Sequence, residues 1–184
     1  MPRPPREFAP GAVYHVYSRG SNRQAIFALD ADRGDFLYCL DGVVSNSRLR
    51  CLAYCLMENH YHLVLETGDG ELSRALKALN GRYALRFNRR HNRDAHLFKN
   101  RFGAIRQDSD SQLLWTLRYT VRNPVEQGLC ASPEEWRWSS YRSSIGLERP
   151  PGFLDVDRLL SYFGGSADRA RIALLAFVSD VVGV

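Results

Sequence analysis

Lysine is nearly absent from this 184-residue chain: Lys77 and Lys99 stand against 23 arginines. The skew suits forked phosphate contacts better than point-charge ones, and it equally suits a GC-rich genome, so alone it decides nothing. Long hydrophobic runs are lacking too. No purely apolar run exceeds seven residues, Ile172 to Val178 being one such run, whereas spanning a bilayer takes about 20. No membrane span is expected. The N-terminal MPRPPREFAPG holds no apolar signal core, so the expected location is the cytoplasm. Cysteine is sparse. Cys39, Cys51, Cys55 and Cys130 sit among apolar neighbours without framework spacing and read as reduced thiols. Cys51 and Cys55 also lack the second pair that a thiolate zinc site would want.

What is present is a balanced globular composition, 45% hydrophobic and 24% charged, which excludes a disordered or collagen-like chain. The length fits one domain with a short appendage and is too small for a TIM barrel, which needs at least about 200 residues. The net charge of +5 is modest, but it is unevenly spread. Between Arg74 and Arg106 stand ten basic residues and one acid, Asp94, a net of +9. The remainder holds 15 basic and 19 acidic residues, a net of −4. One sector is therefore cationic, with Tyr83, Phe87, Phe98 and Phe102 interleaved to stack bases or to pack a core. A solvated helix face accounts for a few such arginines but not for the whole excess, and nucleic acid is the expected partner.

Residues 1–11, with four prolines, read as an irregular arm. Val13 to Tyr17 is a strand, followed by a turn-forming loop, Ser18 to Arg23. Asp30 and Asp32 are candidate caps for a helix carrying Phe36, Leu40, Val43 and Val44. Residues 49–57 and 60–66 form a hairpin turning at Glu58-Asn59. Leu72, Leu76, Leu79, Tyr83 and Phe87 mark a second helix, which makes Tyr83 a core residue. Leu97 to Ile105 reads as a strand. A third helix starts at Asp110-Ser111 and is expected to end near Arg122, because Pro124 disfavours helical geometry at Asn123. The order β-α-β-β-α-β, with added helices, predicts an α+β, ferredoxin-like antiparallel sheet. Residues 12–145 make that domain, and 146–184 a helical tail broken at Gly164-Gly165.

His60-Tyr61-His62 is the most informative tripeptide. On a strand the two histidines share a face, about 7 Å apart, close enough to converge on one divalent ion. With a two-residue turn, Met57 faces His60 and Cys55 faces His62. Leu52, Tyr54, Leu56, Tyr61, Leu63 and Leu65 fill the opposite, core face. The pair is either a metal site or two polar residues on a half-exposed strand. Tyr119 and Asn123 lie four apart on one side of the third helix, off its apolar stripe. They suit a nucleophile beside an oxygen ligand for a hard metal. Alternatively Tyr119 packs on a neighbour and Asn123 caps the helix.

Several motifs in order narrow the choice. Tyr14-His15-Val16 precedes Arg19-Gly20-Ser21-Asn22-Arg23, and Tyr54 to Leu63 carries the histidines. Phe98 to Phe102 follows, then Arg118 to Val125, Gly128-Leu129 and Trp138-Ser139-Ser140-Tyr141. Over roughly residues 10–145 the chain resembles the REP-associated tyrosine transposases of bacteria, members of the single-tyrosine HUH family. It departs in having Tyr61 between the histidines, where relatives carry an aliphatic residue, and Glu58 where many carry proline; neither change touches a reacting group.

The resemblance implies a metal-dependent single-stranded DNA endonuclease and strand transferase acting at imperfect, REP-like hairpins, in the service of transposition. His60, His62 and Asn123 would hold Mg²⁺ or Mn²⁺. Tyr119 would be the nucleophile, leaving a 5′-phosphotyrosine and a free 3′-hydroxyl. Arg19, Asn22 and Arg23 would read bases beside the hairpin foot, and Arg82, Arg86 and Arg101 would contact phosphates. Smaller relatives act as homodimers that exchange the tyrosine helix; the longer tail here could instead cover that surface in a monomer. Two rivals remain. One is a hairpin-binding module with the same fold and no cleavage, which would have no use for the four site residues together. The other is a metal-dependent hydrolase of small substrates, which would want a general-base carboxylate beside the histidines.

Overall fold

The computed structural model describes residues 8–69 and 71–179. Most of the proline-rich arm, and the last residues of the tail, therefore lie outside the described residues; residues 8–11 form neither helix nor strand. Four strands, β1 (Val13–Arg19), β2 (Leu49–Leu56), β3 (His60–Thr67) and β4 (Gly103–Arg106), form one antiparallel sheet in the order β2-β3-β1-β4. Helices α1 (Asp30–Ser45) and α2 (Leu72–Arg90) are the two crossovers, so the ferredoxin-like expectation holds. Among the described residues no helix is long and apolar enough to cross a membrane.

Alternation along β3 divides the molecule into two layers. Tyr61, Leu63 and Leu65 are wholly buried. Tyr61 packs on Phe36 of α1, with ring centroids 4.7 Å apart, and donates to Asn80 Oδ1 of α2 at 2.8 Å. The α1–α2 layer therefore covers the Tyr61 face, and His60 and His62 face the other way. Tyr83, Phe87 and Phe102 are buried and Phe98 packs against the same cluster, so the aromatics of the cationic sector build the core rather than a stacking surface. A register shift between Cys51 and Ala53 makes Leu52 an extra residue, and Cys51, not Leu52, pairs with Leu65.

Three elements depart from their expected bounds, the first being β1, which runs two residues past Tyr17 into the expected loop and ends at Arg19. Strand β4 begins only at Gly103; before it, Phe98 makes a single bridge to Gly20, and the Lys99 N–H donates to the Arg19 carbonyl at 3.0 Å. Helix α3 (Asp110–Glu126) continues through Pro124, four residues past the expected end at Arg122. The proline removes only the donor that would bond the Thr120 carbonyl four residues back, and the carbonyls of the last turn keep partners. The Gln127 N–H donates to the Asn123 carbonyl and the Leu129 N–H to the Pro124 carbonyl, with Gly128 left-handed at φ 69. Asn123 thereby stays helical, on the same side as Tyr119.

The tail folds back on the sheet. Helices α4 (Tyr141–Ser144), α5 (Val156–Ser161) and α6 (Ala167–Ser179) bury Leu159, Leu160, Leu174 and Val178 in the same cluster as α3 and β2. At the start of α1, capping comes from inside the helix. Asp32 accepts from the backbone N–H groups of Ala28 and Leu29 at 3.0 and 2.8 Å. It also accepts from Arg90 at 2.8 Å and His91 at 3.0 Å, which ties α1 to the end of α2. Burial raises the Asp32 pKa, but these bonds outweigh it and hold the carboxylate below its usual range. Asp32→Ala should lower stability by about 2 kcal/mol in urea denaturation. Its folded pKa is depressed, so its contribution is full above about pH 4 and is lost as pH falls further. A change under about 0.5 kcal/mol would show that α1 is capped without it.

Candidate active site

The β1–β3 register sets Tyr17 opposite His62 and Arg19 opposite His60, with His15 two residues further along the same face. Helix α3 lies over this face. It brings the Tyr119 ring to 5.4 Å from His62 and 6.1 Å from His15, both edge to face. Asn123, one turn on, presents Oδ1 3.3 Å from His60 Nε2. Helix α3 thus brings Tyr119 and Asn123 to the two histidines. Tyr119 remains 43% exposed, while His62 and Asn123 are buried.

Each ring is held from its Nδ1 side. His60 Nδ1 lies 2.7 Å from Asn59 Oδ1, and His62 Nδ1 lies 2.9 Å from His15 Nε2. Gln127 donates to Asn123 Oδ1 at 2.8 Å. His62 Nε2 is buried and has no hydrogen-bond partner. Burial pushes the pKa of His62 down to about 2, with the neighbouring His15 and His60 adding to the effect, and that of His15 down to about 4. Burial also lowers His60; the Asn123 oxygen, which the protonated ring could engage, works the other way, and the positive charge of Arg19 adds to the lowering. All three rings are therefore neutral at pH 7, the state in which imidazole binds metal.

The donor set fits a divalent cation. Among the described residues no group of three or more His, Cys, Asp and Glu side chains forms a metal cage. The third ligand would have to be of another kind, and the Asn123 amide oxygen beside His60 is one. The orphaned His62 nitrogen is a buried polar atom awaiting a partner.

The other predicted positions divide. Arg19 is exposed beside His60. Asn22 and Arg23 lie in a short 3₁₀ turn with left-handed backbones at φ 50 and 60, and the Arg23 carbonyl accepts from Asn59 at 3.2 Å. Arg101 is exposed just past Lys99, whose N–H donates to Arg19. Arg82 and Arg86 are on α2, across the sheet from the histidines. Arg86 is already engaged, bonded to Asp35 at 2.9 Å and lying over the Tyr38 ring. Four site neighbours escaped the sequence reading: His15, Tyr17, Asn59 and Gln127. Alternation from Tyr17 would have put His15 on its face, but only the β1–β3 register brings either to His62. Gly103 clears space for the Tyr17 ring, since a Cβ there would sit 2.3 Å from it.

A family model described as IS200-like transposase matches residues 9–123, a span running from before β1 through Asn123. The chain belongs to the IS200-like transposase family. It is thus a transposase, an enzyme that cuts DNA to move it. A solved structure of a REP-associated tyrosine transposase bound to a REP hairpin shares its fold, with a TM-score of 0.68 at 15% identity over 91% of this chain and 93% of that one. A transposase-like structure from Deinococcus radiodurans aligns at a TM-score of 0.46, with 16% identity over 68% of this chain and 96% of that one. No curated protein matches the sequence significantly.

The buried neutral histidines of this transposase carry a pH signature. In the unfolded chain they protonate near pH 6.5, in the folded one only much lower. The unfolded state then binds more protons, so stability of the metal-free protein is full above about pH 6.5 and falls as the pH drops toward 4. The slope should reach about 1.4 kcal/mol per pH unit for each such ring. Urea midpoints at pH 7 and 5 measure it, and His15→Gln should shrink the fall; a flat profile in wild type would contradict the burial of these rings.

Proposed function

We propose that the transposase nicks and rejoins single-stranded DNA at the foot of a hairpin, with Tyr119 as nucleophile and a divalent cation, Mg²⁺ or Mn²⁺, held by His60, His62 and Asn123. The observation that carries this reading is the exposed Tyr119 phenol standing over His62, whose buried Nε2 has no partner. The Tyr119 oxygen attacks phosphorus, the bond to the 3′ oxygen breaks, and a 5′-phosphotyrosine and a free 3′-hydroxyl result. The phenolic proton leaves to solvent and the departing oxygen takes one up. A 3′-hydroxyl attacking the phosphotyrosine reverses the step, so the energy of the phosphodiester is conserved and no nucleotide cofactor is required. A bound cation would supply charge neutralisation on the non-bridging phosphate oxygens as phosphorus gains a fifth bond. The hairpin substrate rests on the family and on the REP hairpin bound by the fold relative.

Arg19, Asn22 and Arg23 stand at the His60 end of the sheet, suited to reading the unpaired bases next to the cut. Arg101 follows on the same rim and suits a phosphate. Arg82 and Arg86, across the sheet, could touch only a stem that extends around the edge of the domain. Labelled hairpin DNA incubated with the protein and Mg²⁺ should be cut. His60→Ala and His62→Ala should each abolish cutting while changing DNA affinity by no more than about threefold, because phosphate contacts supply most of the binding. Cutting by either variant at normal Mg²⁺ would remove the metal assignment, and tight binding by wild type with no cutting would leave a hairpin-binding module.

Arg101→Ala should weaken binding and flatten the log–log salt dependence by about 0.7–0.9, the share of one phosphate no longer neutralised. Arg82→Ala with Arg86→Ala should have a smaller effect in the same titrations. The reverse ranking would move the binding surface to the α2 side of the sheet.

A further inference from the structure

The hydrogen bonds on the Nδ1 sides of the two histidines fix where their protons are. Asn59 Nδ2 donates to the Arg23 carbonyl, which turns Asn59 Oδ1 toward His60 Nδ1 at 2.7 Å. A carbonyl oxygen can only accept, and this one lies nearer than the 3.3 Å oxygen facing Nε2, so the His60 proton is on Nδ1. A neutral imidazole carries a single N–H, so with the proton on Nδ1 the Nε2 atom is a bare lone pair. It faces Asn123 Oδ1, a second acceptor, at 3.3 Å, and that oxygen already receives a bond from Gln127. Two acceptors in that position repel each other unless a positive centre joins them.

His62 obeys the same logic from the other side of the strand pair. Its Nδ1 and His15 Nε2 share one proton across 2.9 Å, so either ring could donate. If His15 donated, the His62 proton would sit on Nε2, a buried donor with no acceptor. Among buried backbone groups, orphaned N–H donors are rarer than under-used acceptors, and the same preference in the ring leaves Nε2 as the bare atom. The favoured arrangement has His62 donating from Nδ1 and His15 accepting at Nε2.

We propose that His15 and Asn59 are positioning residues that lock His62 and His60 in the Nδ1–H tautomer, leaving both Nε2 lone pairs free for a divalent cation. The proposal rests on the metal-dependent reading above and extends it to the residues behind the ligands. Outer partners of this kind set ring orientation and ligand basicity, and their loss typically weakens metal binding by about 10–100-fold. Asn59 has a second consequence. Through the Arg23 carbonyl it ties the His60 ring to the left-handed turn at Asn22 and Arg23.

Imidazole nitrogen NMR of the metal-free protein near neutral pH reads the tautomers directly and needs no variant. Both His60 and His62 should be protonated on Nδ1. Mn²⁺ titration followed by the electron paramagnetic resonance of the free ion then gives affinity without reference to DNA cleavage. Asn59→Ala and His15→Phe should each move the proton of the neighbouring ring to Nε2 in part or in full, and weaken Mn²⁺ binding by about 10–100-fold. His15→Gln, which keeps an accepting oxygen, should preserve both tautomer and affinity. Nε2–H on either ring of the wild type, or wild-type Mn²⁺ affinity in Asn59→Ala and His15→Phe, would overturn the proposal. Nδ1–H tautomers in a wild type that binds no Mn²⁺ would instead overturn the metal reading on which it rests.

Discussion

Everything at the site depends on the central place of β3 and its two-residue period. Strand β3 is flanked by β2 and β1, so its register is fixed on both sides. Tyr61, Leu63 and Leu65 face the α1–α2 layer and are wholly buried. A slip by one residue would send that set to the α3 face and bury both histidines in the apolar layer around Phe36. The core thus enforces the position of the site. Tyr61 contributes twice, by packing on Phe36 and by donating to Asn80.

The arginines divide according to which layer they serve. On the α1–α2 layer, Arg86 and Arg90 pair with Asp35, and Arg90 also with the fully buried Asp32. These contacts hold two helices together and leave less positive charge free than the sequence count suggests. At the other end of β1, Arg19, Arg23 and Arg101 are exposed and cluster around the histidine end of β3. The field that a phosphate chain would meet at the site comes from that smaller set. The site interior stays uncharged, because burial keeps His15, His60 and His62 neutral. Neutral imidazoles inside a cationic rim suit a polyanion and a divalent ion together.

The periodic signals in the sequence were legible. Alternation marked β3 and its core face, helical spacing marked α2 with Tyr83 inside, and the hairpin turn put Cys55 opposite His62, as the pairing has it. The four-residue spacing of Tyr119 and Asn123 correctly put them on one helix side. Most of what escaped was non-local. The rule that Pro124 ends a helix gave way to the capping bonds from Gln127, Gly128 and Leu129, which support the last turn. His15 could not be tied to the histidines, because a strand's partner and its register are not written in its own period, whereas Asn59, next to His60 in the chain, read only as a turn residue. The cationic excess of residues 74–106 pointed to nucleic acid, yet its aromatics turned inward and its α2 arginines found acids on α1.

The central claim is that one oxygen, on Tyr119, takes the phosphate. The direct measurement is peptide mapping by mass spectrometry of the complex formed between wild-type protein and hairpin DNA, after denaturation and nuclease digestion. The account predicts a nucleotide phosphate on the peptide containing Tyr119 and none on those containing Tyr17, Tyr83 or Tyr141. It also predicts that Tyr119→Phe folds, binds hairpin and yields no adduct. A phosphate on another tyrosine, or an adduct in Tyr119→Phe at the wild-type level, would contradict it.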